Sequence, residues 1–309
     1  MQSVHIPVLL HEVVEYLTKP FLGSPACRQA GAVAPWYLDG TLGGGGHTRA
    51  IASALSRNVS IIALDRDPLA VKRAEENLRG EAKRLIIEND DFRNLDKCLA
   101  KHGIQAVDMI LLDLGISSDE LETSGRGFSF QKDEPLHMTM GDPAKHPFTA
   151  KTIVNEWQEE DIANVIYAYG EEGFSRRIAK AIVAAREKKS IETSAELAEI
   201  VKMSVPAFYR RGKTHPATKT FQALRIAVND ELKALEEGLS RSIEHLNPGG
   251  RLAVISFHSL EDRIVKNFFK ELDKKKGKIL TKKPIKPSAQ EIAENPRSRS
   301  AKLRVFEKK

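Results

Sequence analysis

Trp36-Tyr37-Leu38-Asp39-Gly40-Thr41-Leu42-Gly43-Gly44-Gly45-Gly46-His47-Thr48 joins a short apolar run to an acid and then to a cluster of glycines. An apolar run that stops at glycines reads as a buried strand entering a tight turn. RAIASALSR (49–57) supplies the helix that follows. SIIALDRD (60–67) is a second buried strand ending at Asp65, and PLAVKRAEENLRG (68–80) a second helix with proline at its start, where the missing N–H costs little. RLIIEND (84–90) and VDMILLDLG (107–115) read as third and fourth strands. Repeated strand–helix units with continuous apolar strands predict an α/β fold, a parallel sheet covered by helices on both faces.

Beyond Gly115 the pattern changes. Residues 116–148 are rich in Gly, Pro, Ser and charge and read as a long functional loop. From Thr149 to about Pro206 the chain turns helical, with Thr193 and Glu196 at capping-box spacing. A loop, YRRGKTHPATKT (209–220), leads into a helix whose Phe221, Leu224, Val228, Leu232, Leu235, Leu239, Ile243 and Leu246 recur at three- and four-residue steps until Asn247-Pro248-Gly249-Gly250 stops it. RLAVISF (251–257) returns to the sheet, SLEDRIVKNFFKEL (259–272) is a further helix, and KILTKKPI (278–285) and AKLRVFEKK (301–309) are closing strands. The expected plan is a discontinuous sheet domain, 1–120 and 216–309, with an inserted loop and helical substrate-recognition subdomain at 121–215.

With 309 residues, 41% hydrophobic and 29% charged, the chain can bury a core in each part, which excludes a disordered or fibrous protein. No run approaches the roughly 18 to 20 apolar residues of a membrane span, and the first residues lack a basic start and cleavage site. A cytoplasmic protein without membrane contact is expected. Two cysteines, Cys27 and Cys98, supply neither a disulfide framework nor a multi-cysteine zinc site, and no metal site is expected. The net charge is +6, but Lys274–Lys286 holds seven lysines and no acid, so a polyanion is a candidate partner, weighed evenly against a solubilising tail.

A strand, clustered glycines and a helix let backbone N–H groups approach a ligand, and Asp65 stands about 20 residues on, where an acid can grip ribose hydroxyls. The glycines do not spell G-x-G-x-x-G, which disfavours a dinucleotide. Asp39, directly before them, would repel a pyrophosphate but tolerate the amino group of a methionine moiety, which tilts the ligand toward S-adenosylmethionine. Asp91 and Phe92, at the next strand end, could meet an adenine amino group and ring, or serve as loop acid and core residue.

Eight ordered segments carry a family resemblance: HIPVLLHEVVEYL, YLDGTLGGGGHT, ALDRDPLAV, ILLDLGISS, RGFSF, YGEEGFSRRIAKAIV, HPATKTFQALRIAVNDEL and NPGGRLAVISFHSLEDRIVKNFF, closed by ENPRSRSAKLR. In these the chain resembles the 16S ribosomal RNA cytosine-N4 methyltransferases, the ribosomal small-subunit RNA methyltransferase H or MraW family, along nearly its whole length. The resemblance implies a Rossmann-like S-adenosylmethionine-dependent methyltransferase sheet with an inserted helical subdomain. It also implies methylation of the exocyclic N4 of a cytidine in the decoding centre of small-subunit ribosomal RNA, in the cytoplasm, within an assembling or assembled subunit. Dimerisation is an open alternative. By matching motif, the cofactor residues are Gly45, Gly46, His47, Asp65, Phe92, Asp113 and Glu120. The last stands where the family more often has glutamine or histidine. The chain departs again after RGFSF, reading PLHMTMGD where the family has PLDMRMD, so that His137 and Thr139 replace an aspartate and an arginine.

Methyl transfer to an amine is an in-line displacement that depends chiefly on positioning, aided by an acceptor for an amino hydrogen. Asp113, Ser256, His258 and Ser259, at the ends of the fourth and fifth strands, are the candidates; Asp113, His258 and Ser259 are taken as the catalytic set, with His258 set against a structural histidine bonded to the neighbouring helix. The target base is expected to be splayed from its stack against Phe128 or Phe130. Arg176, Arg177, Lys180, Arg210, Arg211 and Lys213 are candidate phosphate contacts. Methylation of another substrate, an RNA-binding assembly protein that keeps the fold, and a nucleotide-dependent oxidoreductase are the competing functions.

Overall fold

The computed structural model describes residues 6–22, 34–116, 121 and 124–309, in two compact units that part at Gly115/Ile116 and again at Glu231/Leu232. In the first unit seven strands, β1 (Trp36–Asp39), β2 (Ser60–Leu64), β3 (Arg84–Glu88), β4 (Val107–Asp113), β5 (Leu246–Ser256), β6 (Gly277–Ile279) and β7 (Lys302–Lys308), form one sheet. Its order is β3-β2-β1-β4-β5-β7-β6. β1 to β5 run parallel, and β7 is antiparallel to both neighbours. The chain builds outward from β1 in one direction and from β4 in the other, so the crevice at their carboxyl ends is the topological switch point where such sheets bind ligands.

Strand residues alternate between two cores. Tyr37, Ile61, Met109 and Ile255 point into one, with Val13 and Leu17 of α1 (Leu10–Thr18) and Ile51 of α2 (Gly46–Ala54). Leu38, Ile62, Ile110 and Val254 point into the other, with Leu99 of α4 (Leu95–Lys101). Burial on both faces is why these strands read as unbroken apolar runs. Between β2 and β3, α3 (Pro68–Asn77) starts where the proline predicts, capped by Asp67, whose carboxylate accepts from the Leu69 N–H.

The second unit packs α5 (Ala150–Glu156), α6 (Glu159–Gly170), α7 (Ser175–Arg186), α8 (Ser194–Ser204), the short α9 (Ala207–Arg210) and α10 (Ala217–Asn229) around a core of its own. The capping box at Thr193 and Glu196 forms. The stretch read as a loop is stitched down in its latter part: Leu136 and Met138 are fully buried, and their N–H groups donate to Glu192 and Arg126 carbonyls.

Three elements differ from expectation. The long helix expected from Phe221 to Leu246 is two, α10 and α11 (Glu231–Glu244), parted at Asp230, which takes a left-handed φ of 51°. Phe221, Leu224 and Val228 lie in the core of the second unit, Leu235, Leu239 and Ile243 in that of the first. The unit boundaries are accordingly 115/116 and 231/232 rather than 120/121 and 215/216. A three-to-four-residue periodicity does not register a break that leaves the apolar spacing intact. Leu246 heads β5, and Asn247 to Gly250 form an irregularity within the strand, with Gly249 at φ 76° and the Asn247 amide donating to Asp108. The first expected closing strand is broken: its start falls in the edge strand Gly277–Ile279, Ile285 forms an isolated bridge to Leu303, and Lys276 and Lys278 are exposed at the edge. Lysines on an edge strand deter pairing with other chains, which accounts for part of the basic run without a polyanion. Cys98 is buried and unbridged, while Cys27 lies outside the described residues. Among the described residues no helix is long and apolar enough to cross a membrane.

Candidate functional site

The turn from β1 into α2 is built on two carboxylates. Asp39, 1% exposed, accepts from the Tyr37 hydroxyl (3.0 Å), the Thr48 hydroxyl (2.5 Å) and the Thr41 N–H (3.1 Å). Asp65 accepts from the Gly43 N–H (2.7 Å) and the Asp67 N–H (2.8 Å). The Thr41 hydroxyl in turn accepts from the Asp113 N–H (2.6 Å), tying the turn to the end of β4. Asp39, expected to face a ligand's amino group, thus spends its oxygens inside the turn, and Asp65 holds the glycine backbone while keeping acceptor capacity on both oxygens.

The four glycines divide by cause. Gly45 caps α2 at φ 77°, and a Cβ there would stand 3.1 Å from Leu78; a Cβ on Gly46 would stand 2.4 Å from Pro7. Folding alone requires those two. A Cβ on Gly43 or Gly44 meets nothing within 4 Å, and Gly44 has no positive φ either, so nothing in the described chain demands glycine at 44. A ligand approaching the backbone would demand it. Sequence reasoning chose Gly45 and Gly46 and passed over Gly43 and Gly44; the available signal was that these two come first after the strand, before the helix begins.

His47 is 6% exposed; its Nε2–H donates to the Val8 carbonyl (2.9 Å), and its Nδ1 lies 3.6 Å from the Asp113 carboxylate. The other carboxylate oxygen of Asp113, Oδ1, is buried with no hydrogen-bond partner among the described residues. Burial pushes the Asp113 carboxyl well above the usual carboxylate range, and the charges of Asp39 and Glu261 push it further. Burial also raises Asp39, and it raises Asp65 to about 6. Three acids at adjoining strand ends, all held above their ordinary values, describe a place short of positive charge. Such a place favours a compact cation and disfavours a pyrophosphate.

Phe92 is half-buried, its ring within 2.5 Å of where a Cβ on Gly238 would stand. Asp91 caps the short helical turn Phe92–Asn94 and pairs with Arg66 and Arg93, so it is a loop acid. His258, expected among the acceptors, caps α12 (Ser259–Leu272): its Nδ1 accepts from the Glu261 N–H (3.4 Å), and its Nε2 lies 3.2 Å from the Glu261 carboxylate. The ring serves its own helix. Ser259 is exposed at that helix's first position, and Ser256 is buried with its hydroxyl donating to the Lys302 carbonyl (3.4 Å). Glu120 lies outside the described residues.

In the second unit, Phe128 is buried under the Arg126 guanidinium, 5.7 Å from its ring centre, and Phe130 is covered on one face by His215 (4.5 Å, 20°) and on an edge by Phe221 (5.4 Å). Phe128 is therefore not open to a base, and Phe130 is half-buried with one face already stacked. His137 lies beside fully buried Thr139, and Arg126 donates to the carbonyls of Thr139 and Gly141, taking up with a guanidinium from a neighbouring position the loop that departs from the family pattern.

A model of the MraW methylase family matches residues 2–309. Ribosomal RNA small subunit methyltransferase H of Brevibacillus brevis is 44% identical over 320 residues, covering 98% of this chain and 98% of that protein. Among solved structures, a chain from Clostridium thermocellum aligns with a TM-score of 0.46 at 15% identity over 99% of this chain and 100% of its own. An rRNA methylase from Streptococcus thermophilus aligns with a TM-score of 0.41 at 12% identity over 89% and 87%. Likenesses that loose say nothing of the site.

Proposed function

The chain belongs to the MraW methylase family, and from that premise we propose that it methylates small-subunit ribosomal RNA with S-adenosylmethionine, at the exocyclic N4 of a cytidine in the decoding centre, within an assembling or assembled subunit. The relative's name supports the ribosomal RNA substrate; the eight matched segments support the nucleoside. One observation carries the reading of the site: at the switch point, beside glycines open to an approaching ligand, Asp113 keeps a buried carboxylate oxygen without a partner.

The cofactor supplies a sulfonium-bound, electrophilic methyl group and positive charge. The residues present fit it. The backbone from Gly43 to Gly46 would take the close approach, Asp65 would accept from ribose hydroxyls, Phe92 would offer a ring to the adenine, and the acids at the strand ends would balance the charge. Beside a cation Asp113 regains its ionised form, and its Oδ1 can then accept a hydrogen from the target amine. That bond would localise the nitrogen lone pair for attack on the methyl group the cofactor supplies, and Asp113 or solvent would take the surplus proton. His47, anchored by Val8, holds Asp113 in place. His258 and Ser259, kept at the adjacent strand end by the capping box, shape the edge that the base meets.

The test is nucleoside mass spectrometry of small-subunit RNA incubated with labelled cofactor, supplied naked, in partly assembled particles and in mature subunits. Label on N4-methylcytidine that disappears in Asp65→Ala and Gly45→Arg is expected. Label on another nucleoside would overturn the position, and no label on any of the three substrates would overturn the reading.

A further inference from the structure

Phe208 exposes 73% of its surface, more than any other large apolar side chain among the described residues. It is nevertheless held. Its ring meets that of Phe174 (6.3 Å, 64°), which meets Tyr209 (5.0 Å, 71°). Beneath them Glu172, 1% exposed, accepts from the Tyr209 hydroxyl (2.5 Å) and from the Phe174 N–H (2.9 Å). Burial and that bond push the Tyr209 hydroxyl up to about 12, so it stays a donor and the ledge stays fixed. A buried acid is thus committed to keeping an aromatic ring out in water.

The exposed charges that follow the ledge's aromatics are basic, whereas two acids, exposed Glu171 and buried Glu172, precede Phe174. Arg176 and Arg177, both exposed, occupy the first turn of α7 directly after Phe174, and no acid stands in that turn. Cations at a helix N-terminus oppose the helix dipole, so helix stability does not account for them. Arg210 and Arg211, also exposed, follow Phe208 at the end of α9. Met203, 59% exposed, adds apolar area beside the Arg210 guanidinium that contacts its sulfur; a protein partner would favour a wider apolar patch, whereas guanidinium groups follow the aromatics in both segments of the ledge. A free aromatic face with cations beside it matches a base and its neighbouring phosphates. Duplex RNA hides base faces within its stack, whereas unpaired nucleotides present them.

We propose that Phe208 is a stacking platform for an unpaired RNA base, with Arg176, Arg177, Arg210 and Arg211 on the adjoining phosphates. The proposal rests on the reading of the chain as an RNA methyltransferase and names the part of the RNA that this surface takes: a single-stranded stretch.

The full chain is titrated with a short single-stranded RNA and with a duplex of equal length, read by anisotropy, and with S-adenosylmethionine alone, read by calorimetry. Phe208→Ala is expected to weaken single-strand binding about tenfold with the salt slope kept. Phe208→Trp should retain affinity, and the indole emission it adds to that of the wild-type chain should be quenched by the single strand more than by the duplex. Arg176→Gln with Arg177→Gln should lower the salt slope by about 1.4, two contacts at about 0.7 each. Cofactor binding and thermal unfolding are expected to be unchanged throughout. Single-strand affinity of Phe208→Ala equal to wild type, or added emission in Phe208→Trp that is indifferent to RNA, overturns the platform. So does an equal loss of single-strand and duplex affinity in Phe208→Ala, which a stacking platform for unpaired bases does not give. The methyltransferase reading fails separately, by absence of transfer from the wild-type chain.

Discussion

The glycine turn of the sheet unit and the aromatic ledge of the helical unit solve opposite electrostatic problems. At the turn, acids are gathered out of water, and burial lifts Asp39, Asp65 and Asp113 above their ordinary pKa values. On the ledge, arginines are gathered in water around an exposed ring. Charge in a low dielectric acts strongly over a short range and selects a compact ligand of opposite sign; charge in water is screened and acts by number, which suits a polyanion. The two regions should therefore answer differently to substitution, pH and salt.

The largest effect should come from Gly44→Leu. A Cβ there meets nothing within 4 Å, so melting should change little, while affinity for S-adenosylmethionine should fall more than about 100-fold if a ligand lies against that backbone. Calorimetry beside a melting curve decides it, and a variant that binds normally would break the comparison at its root. Asp113→Asn is next. Single-turnover transfer should drop about 100-fold, whereas stability at neutral pH should rise, because an amide carries no charge to desolvate. A stable variant with full activity would remove Asp113 from the chemistry.

Titration sharpens the contrast. Asp65 holds its proton to about pH 6 in the folded chain but only to about 3.8 when unfolded, so between those values the folded state binds more protons. Its contribution to stability is therefore present at low pH and lost as pH rises through about 6. Cofactor affinity should run the other way, falling about tenfold per unit below pH 6 as the acceptor is protonated, and Asp65→Asn should flatten that profile, measured by calorimetry across pH. RNA binding at the ledge should ignore this window and respond to salt instead. The smallest effect belongs to the helix starts. Gly45→Ala should cost about 1 kcal/mol for its left-handed backbone, and His258→Ala about 1 kcal/mol for the lost cap. In chemical denaturation His258→Ser should recover most of the latter. A His258→Ser variant that is stable but inactive would return that ring to the reaction.

Particular residues show how far reading the chain could go. The strand–glycine–helix pattern at 36–57, the acid at 65 and the acid at 113 were legible because burial on both sheet faces leaves unbroken apolar runs, and an acid ending such a run stands out. Gly43 and Gly44 were passed over for Gly45 and Gly46, since in a run of four identical residues the one mark that separates them is where the helix starts, and element boundaries are weakly marked in sequence. The break at Asp230 was hidden because a left-handed residue between two helices leaves their apolar spacing in step. Phe208 escaped notice altogether, because an aromatic beside arginines reads the same whether it is buried or exposed.

Sequence alone determined the α/β class, the family and the acids at the strand ends, all of which follow from local periodicity and ordered motifs. Tertiary structure decided which glycines face open space, that His258 caps its helix, that Phe128 is buried and Phe130 stacked on His215, and that Phe208 is exposed. The reason is the same in each case: exposure and partnership depend on what the rest of the chain brings alongside, and contacts between residues distant in sequence leave no trace in spacing.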